Sequence, residues 1–444
     1  MISHGGDRVL HARVDDVPWD READVVVAGS GGAGWAAALG AASAGASALV
    51  LEKAERIGGT TAQAGGGTTY RASTWLWICD HPWLGAPDPR PEALRYMARL
   101  AFPTLYAPNA PQLGLPPERY RLLETFFDRG KEVVSALSEI GALDFAPLEH
   151  INDYYADFPE NAVGRGRALY LRMPDGREGT GGDIVDSMAA CAGRLGVEVR
   201  TGARVRGLVL DADTGAVAGV AAGGMAADAM LIRARGGVVF ATGGFAHDRD
   251  LVREHLRGPV LGSAASTANQ GDFVRIASAA GARLGAMNEA WLTPVVLDQL
   301  PAPASGVFRL PGDSMILVNR YGERVVNEKT TYNEMTRAFF AWDPARAEYP
   351  NLPLVMVYDG SVSERCRDLP EDAPVAEGGG NPLPRVPGGE AHEVTGGTWE
   401  ELAAAIDAHL RRNGRWLPGV RLDGRFVERL RASVGRFDRM AAVG

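Results

Sequence analysis

Six consecutive residues, Gly29-Ser30-Gly31-Gly32-Ala33-Gly34, and an acid about 20 positions further on, Glu52, have the types and spacing that hold a dinucleotide. In a G-x-G-x-x-G turn, Gly29 permits the tight bend, Gly31 lets the backbone approach a pyrophosphate, and Gly34 lets the following helix pack close to its strand. The start of that helix then faces the diphosphate. A carboxylate at Glu52 accepts hydrogen bonds from ribose hydroxyls and repels a 2'-phosphate, which leaves FAD or NAD. Two further stretches favour FAD. One is Gly58-Gly59-Thr60-Thr61-Ala62-Gln63-Ala64-Gly65-Gly66-Gly67, soon after the strand; the other is Gly236-Gly237-Val238-Val239-Phe240-Ala241-Thr242-Gly243-Gly244-Phe245, a buried strand running into a glycine turn. Ribbon-like alternation over residues 197–209 and 217–220 precedes the second, and together they describe a two-part flavin domain.

The elements that must position these groups are legible in the same region. Residues 25–51 carry no charge and are long enough to mimic a membrane span. The interspersed glycines and serines and the apolar triplets at either end read instead as a buried strand, a glycine turn, a small-residue helix and a second buried strand. Glycine contributes 56 of 444 residues; 46% are hydrophobic and 23% charged, a balance that excludes disordered, collagenous and coiled-coil chains. The net charge of -9 offers no footprint for nucleic acid. Cys79, Cys191 and Cys366 stand far apart in no metal-like spacing, so no metal site is expected and a reducing, cytoplasmic location is. Residues 1–23, acidic at Asp15, Asp16 and Asp20 and without an apolar run, read as a lead-in.

With these blocks in order, the chain resembles the FAD-dependent oxidoreductases that include fumarate reductase and succinate dehydrogenase flavoproteins, urocanate reductase and the 3-ketosteroid dehydrogenases. Ala241-Thr242-Gly243-Gly244-Phe245-Ala246, Asn269-Gln270-Gly271-Asp272 and Val318-Asn319-Arg320-Tyr321-Gly322-Glu323-Arg324-Val325-Val326-Asn327-Glu328 extend the likeness. The resemblance implies an α/β fold: a Rossmann-like FAD domain of the glutathione-reductase type with an inserted α+β capping domain. It places Gly29, Gly31, Gly32, Ala33, Gly34, Glu52 and Lys53 at the nucleotide. Gly59, Thr60, Thr61, Ala64, Gly65, Gly66, Ala241, Thr242 and Gly243 fall around the flavin, Val205 at the adenine, and Asp272 by the ribityl chain. A competing reading makes Asp272 a helix-cap residue. No histidine attachment motif adjoins the flavin turn, so FAD is expected to be noncovalent.

Chemistry turns on residue 332. The fumarate reductase branch carries an arginine after N-E-x-T-T, where it delivers a proton; here the stretch is Asn327-Glu328-Lys329-Thr330-Thr331-Tyr332. A tyrosine there is similar to the 3-ketosteroid dehydrogenases, in which it removes the proton beside the carbonyl while the neighbouring carbon yields hydride to flavin N5. Such a phenol, ordinarily near pKa ~10, must be shifted down to act as a base. The stretch His150-Ile151-Asn152-Asp153-Tyr154-Tyr155, followed by Gly164-Arg165-Gly166-Arg167, resembles a second catalytic loop of that branch, in which one tyrosine assists catalysis, and nominates Tyr155 ahead of Tyr154. Ala156 and Glu160-Asn161 depart from its proline and glycine pair, so the substrate is expected to differ from a steroid in detail. The resulting expectation is dehydrogenation of a small apolar ketone, 3-ketosteroid-like, with an electron acceptor that the sequence does not identify. An ene-reductase using Arg337 or Arg324 as the acid, or a flavin-binding subunit completed by a partner chain, are the competing expectations. Tyr332 is otherwise a helix-start aromatic in a core; Trp75, Trp77, Trp83, Phe339, Phe340 and Trp342 read first as core.

The expected organisation is an FAD domain over residues 24–281 with a helical insertion at about 88–182, a capping domain over 282–397, and helices over 398–444. The family's usual C-terminal return to the FAD domain is not recognisable, and the expectation is either a truncated chain or one that has lost the segment.

Overall fold

The computed structural model describes residues 9–63, 75–223, 229–300, 314–366 and 393–443. It divides into two compact units. The first, Met1–Ala64, Arg71–Phe245 and Ala268–Arg283, contains the glycine turn. Its strands β1 (Val9–Ala12) and β2 (Arg21–Ala28) lead through that turn into helix α1 (Gly32–Ser43) and strand β3 (Ala48–Leu51). β2 and β3 pair in parallel, Val26 beside Leu49 and Val27 beside Val50, the β-α-β unit expected from residues 25–51. All of β3 and the last three residues of β2 are buried. Successive side chains alternate between two cores: Val27 and Val50 join Trp35 and Leu39 of α1 on one face, while Val26, Ala28, Leu49 and Leu51 join a second cluster on the other.

After β3 come α2 (Gly59–Gln63), β4 (Leu76–Trp77), α3 (Arg90–Ala101), α4 (Pro117–Glu139), β5 (Phe145–Pro147) and β6 (Ala168–Leu171). The two helices lie within residues 88–182, as do β5 and β6, and the three strands form a small antiparallel sheet in the order β4-β6-β5. Helix α5 (Gly181–Arg194) returns the chain to the main sheet. Its start is fixed by a capping box in which Thr180 and Asp183 satisfy each other's backbone N–H groups. Strands β7 (Glu198–Arg200), β8 (Val205–Asp211), β9 (Val217–Gly223) and β10 (Ala229–Phe240) complete a seven-stranded sheet of order β1-β8-β9-β10-β2-β3-β7. β10 pairs antiparallel with β9 near its start and parallel with β2 toward its end, changing register between Ala234 and Gly237. Residues 9–12, read in the sequence as lead-in, form an edge strand parallel to β8. The chain then leaves for α6 (Arg249–His255) and returns with α7 (Asp272–Ala279), whose Ile276 packs into the second core.

The second unit, Ala246–Thr267 and Leu284–Gly444, is built on an antiparallel pair, β11 (Met315–Val318) and β12 (Val355–Tyr358). Met315 and Leu317 pack on one face with Met335 of α8 (Tyr332–Thr336) and Val362 of α9 (Gly360–Cys366). Ile316 and Val318 pack on the other with Ile406 and Leu410 of α10 (Trp399–Arg412) and Phe426 and Leu430 of α11 (Phe426–Ala441). These last two helices lie where their apolar periodicity predicts. Among the described residues, no helix is long and apolar enough to cross a membrane.

Candidate active site and FAD cradle

The glycine turn has different reasons for its three key glycines. Gly29 has φ +103°, and a Cβ there would stand 2.3 Å from the Ala241 carbonyl oxygen. A Cβ on Gly34 would lie 1.9 Å from the Gly29 oxygen. Protein packing alone therefore demands both. Gly31 is different: its φ of -72° suits any residue, and among the described residues a Cβ there would meet nothing nearer than Thr61 Oγ1 at 3.5 Å. Packing among the described residues therefore gives no reason for glycine at 31, and close approach of a pyrophosphate does; Ala33 nearby is exposed. The buried Oγ1 of Thr242, just past the end of the adjoining strand, has no partner among the described residues. A cradle with one glycine kept clear and one hydroxyl waiting fits a dinucleotide.

Around this turn the side chains lock. Glu52 is buried and accepts the Ser30 N–H at 3.1 Å and the Ser30 Oγ–H at 2.6 Å on one oxygen, and the Ala54 N–H at 2.8 Å on the other. Ser30 Oγ in turn accepts the Gly58 N–H at 2.9 Å, so Glu52 holds together the two glycine segments that sequence assigns to the cofactor. Thr61 Oγ1 accepts the Gly32 N–H at 3.0 Å, and Asn269 donates to Thr60 Oγ1 at 2.7 Å. A Cβ at Gly243, φ +71°, would strike Asn269 Oδ1 at 2.2 Å. Asp272 starts α7 and is clasped by Lys53 at 2.8 Å and by Arg204. Val205 buries its side chain in the second core. Gly59 opens α2, and Ala64, Gly65 and Gly66 lie outside the described residues.

The two nominated phenols lie in different units. Tyr155 belongs to the first, on the connection between β5 and β6. It is 38% exposed, has the left-handed φ of +52°, and stacks on Phe158 with centroids 4.8 Å apart. Tyr332 belongs to the second. It opens α8 after Thr331 and stacks on Trp291, centroids 6.4 Å apart and planes 14° from parallel. Trp291 is itself 81% exposed, a large apolar surface offered at the side of that phenol. Within the same unit a cavity of about 280 Å³ is lined by Leu256, Leu292 and Phe340 and by Arg257, Asn333 and Arg337. Arg257 pairs with Glu289 at 2.7 Å. Arg337 uses only its Nε, on Glu334; its terminal amino groups bond nothing among the described residues. Arg324, the other arginine nominated as an acid, is held by both oxygens of the buried Glu328 and lies over the Phe437 ring. Of the aromatic residues read as core, Trp83 packs on Phe145, whereas Trp75 and Trp342 are exposed.

Comparison with known proteins completes the picture. Residues 24–443 match the family described as FAD binding domain. The chain belongs to that family. It is an FAD-dependent oxidoreductase, and its parallel-rich α/β sheet is the flavoprotein fold. The chain is 28% identical to a 4-oxocyclohexanecarboxylate 2-dehydrogenase of Sinomonas cyclohexanicum, over 95% of this chain and 74% of that one. It is 29% identical to a 3-oxosteroid 1-dehydrogenase of Mycobacterium tuberculosis, over 78% and 69%. In backbone it resembles the 3-ketosteroid delta1-dehydrogenase of Sterolibacterium denitrificans, solved with 1,4-androstadiene-3,17-dione (TM-score 0.64, 24% identity, 77% of this chain and 69% of that one).

Proposed function

We propose that the protein is an FAD-dependent dehydrogenase that introduces a carbon-carbon double bond next to the carbonyl of a ring ketone. The observation that carries the reading is Tyr332, a phenol at the step where an acid-delivering arginine would mark a reductase, set against the exposed ring of Trp291. Two relatives whose names place their chemistry beside a ring carbonyl support it. FAD, held noncovalently, supplies the acceptor for the hydride that leaves the β carbon. Tyr332 Oη takes the proton from the carbon adjacent to the carbonyl, and Trp291 forms an apolar wall for the ring. Tyr155 is the second phenol at the carbonyl. Glu52, Lys53, the Gly29-to-Gly34 turn, Val205 and Asp272 hold the adenosine and ribityl parts; Thr60, Thr61 and Thr242 to Gly243 border the flavin. In this reading residues 24–281 form the FAD domain and 282–397 the cap over the substrate, in a reducing cytoplasm consistent with the free thiols Cys79 and Cys191.

A one-ring substrate bearing a carboxylate is the leading candidate, as in the substrate named for the Sinomonas relative. Arg337, with its terminal amino groups unengaged among the described residues in the cavity beside Leu292 and Asn333, suits such a carboxylate, whereas Arg257 is taken up by Glu289 on the same wall. The steroid reading is the alternative. Anaerobic titration of the yellow protein with 4-oxocyclohexanecarboxylate and, separately, a 3-ketosteroid discriminates them by which one bleaches the flavin absorbance. Reoxidation of the dithionite-reduced protein by fumarate, with no bleaching by either ketone, would overturn dehydrogenation. Tyr332→Phe is expected to lower kcat roughly 10²- to 10⁴-fold with flavin retained; unchanged turnover would remove Tyr332 as the base.

A further inference from the structure

Arg167 is fully buried, yet it carries a charge that burial alone would make prohibitive. Its partners explain how. Nε and Nη2 form a two-pronged fork on Asp88, 2.7 Å to each carboxylate oxygen, while Nη1 reaches Asp153 Oδ2 and, at 2.9 Å, Asn161 Oδ1. The rings of Trp77 and Tyr96 flank the guanidinium at 5.3 and 5.4 Å.

These partners fall into two groups. Asp88 stands just ahead of α3, on the body of the first unit. Asp153 and Asn161 belong to the connection between β5 and β6, the segment that carries Tyr155. That segment is closed at its base by the Asn152 and Arg165 bridge and by the Asp153 N–H donating to Gly164 O at 2.8 Å. Asn161 Oδ1 accepts the Gly164 N–H at 2.9 Å, Trp77 Nε1 donates to Asp153 Oδ1 at 2.9 Å, and Tyr96 OH donates to Tyr154 O. At the far end Tyr155 keeps φ +52°, a conformation that a tyrosine holds only when its surroundings enforce it.

We propose that Arg167 is a positioning residue for Tyr155: by fastening Asp153 and Asn161 to Asp88, it fixes the loop backbone that presents the phenol. The proposal rests on the reading of Tyr155 as a substrate-facing group. Lysine preserves the charge at position 167 but cannot form the fork.

The test is a double-mutant cycle on the FAD-loaded full chain, with Arg167→Lys, Tyr155→Phe and the double variant. Turnover is measured with whichever ring ketone bleaches the flavin, using a dye as acceptor. Arg167→Lys is expected to keep flavin stoichiometry and KM within about threefold while kcat falls roughly 10- to 100-fold. The double variant is expected to be no slower than Tyr155→Phe, within about twofold. Multiplying effects in the double variant, or wild-type kcat in Arg167→Lys, would overturn the positioning role. Wild-type kcat in Tyr155→Phe would instead refute the reading of Tyr155 on which it rests. Should Arg167→Lys fail to fold, Asp153→Asn cuts only the loop side of the hub and is put through the same cycle with the same criteria.

Discussion

Replacing Gly31 and Gly34 by alanine, one at a time, separates what the fold needs from what the cofactor needs. Alanine at 34 must place its Cβ 1.9 Å from the Gly29 oxygen, deep inside van der Waals contact, and backbone cannot yield cheaply there. The expected cost is that of overpacking, about 1–3 kcal/mol or more, with or without FAD. Alanine at 31 has an allowed backbone and, among the described residues, nothing nearer than 3.5 Å, so the apoprotein should be unchanged or stabilised by about 0.4–1 kcal/mol through loss of unfolded-state freedom. Its effect falls on the dinucleotide. FAD at 100 times Kd adds about 2.7 kcal/mol to the wild type, worth about 5–10 °C in Tm for a unit of this size; a hundredfold loss of affinity in Gly31→Ala would erase most of it. Thermal melts of the apoproteins with and without added FAD, beside a fluorescence titration of FAD, measure both quantities. A Gly31→Ala protein with wild-type FAD affinity would refute the argument that Gly31 is kept clear for the diphosphate. A Gly34→Ala apoprotein as stable as wild type would refute the packing argument.

His81 is buried, with Nε2 2.9 Å from the Gly166 oxygen, and burial holds its pKa below the ordinary 6.5. The unfolded chain therefore takes up a proton that the folded one refuses: the stabilisation is whole above pH 6.5 and is lost as pH falls from there toward the lowered value. His81→Gln should show a shallower decline of urea midpoint between pH 7 and 5 than wild type, and parallel declines would contradict this. In the second unit, Phe426 of α11 is 2% exposed and packs with Ile316 and Val318 of β11 and Ile406 and Leu410 of α10; Phe426→Ala should cost about 3–5 kcal/mol, read by urea denaturation.

What could be read from the sequence was what depends on local pattern. The uncharged run over residues 25–51 announces its β-α-β unit because parallel strands buried on both faces leave no room for charge; the strand ending at Phe240 is legible from its apolar run, but the burial expected for it is not found, with Val239 37% exposed. The site was legible where backbone geometry demands glycine, as at Gly29 and Gly34. The rest depends on long-range partners. Val9–Ala12 is too short to announce a strand and becomes one only because β8 offers an open edge. Gly164-Arg165-Gly166-Arg167 drew notice by likeness, but nothing near it in sequence tells that Asp88, 79 positions earlier, receives Arg167. Ser30 reads as a spacer in the glycine turn, and its bonds to Glu52 and Gly58 show it to be a fastening.

The pairing of β2 with β10 also has a consequence in time. Val25 lies beside Gly237, so the strand that leads into the nucleotide turn cannot find that neighbour until more than two hundred further residues have been made. At roughly 5–20 residues per second on the ribosome, that is a wait of about 10–40 s. During it β3 can gain β7 and the core can gain α5, but the other edge of β2 stays without its partner. A nascent chain stalled before residue 237 would present Val25 to Ala28 as an unpaired, uncharged edge, the kind of surface that chaperones shield and that aggregates when they do not. The centre of the nucleotide-binding sheet is thus begun first and closed late.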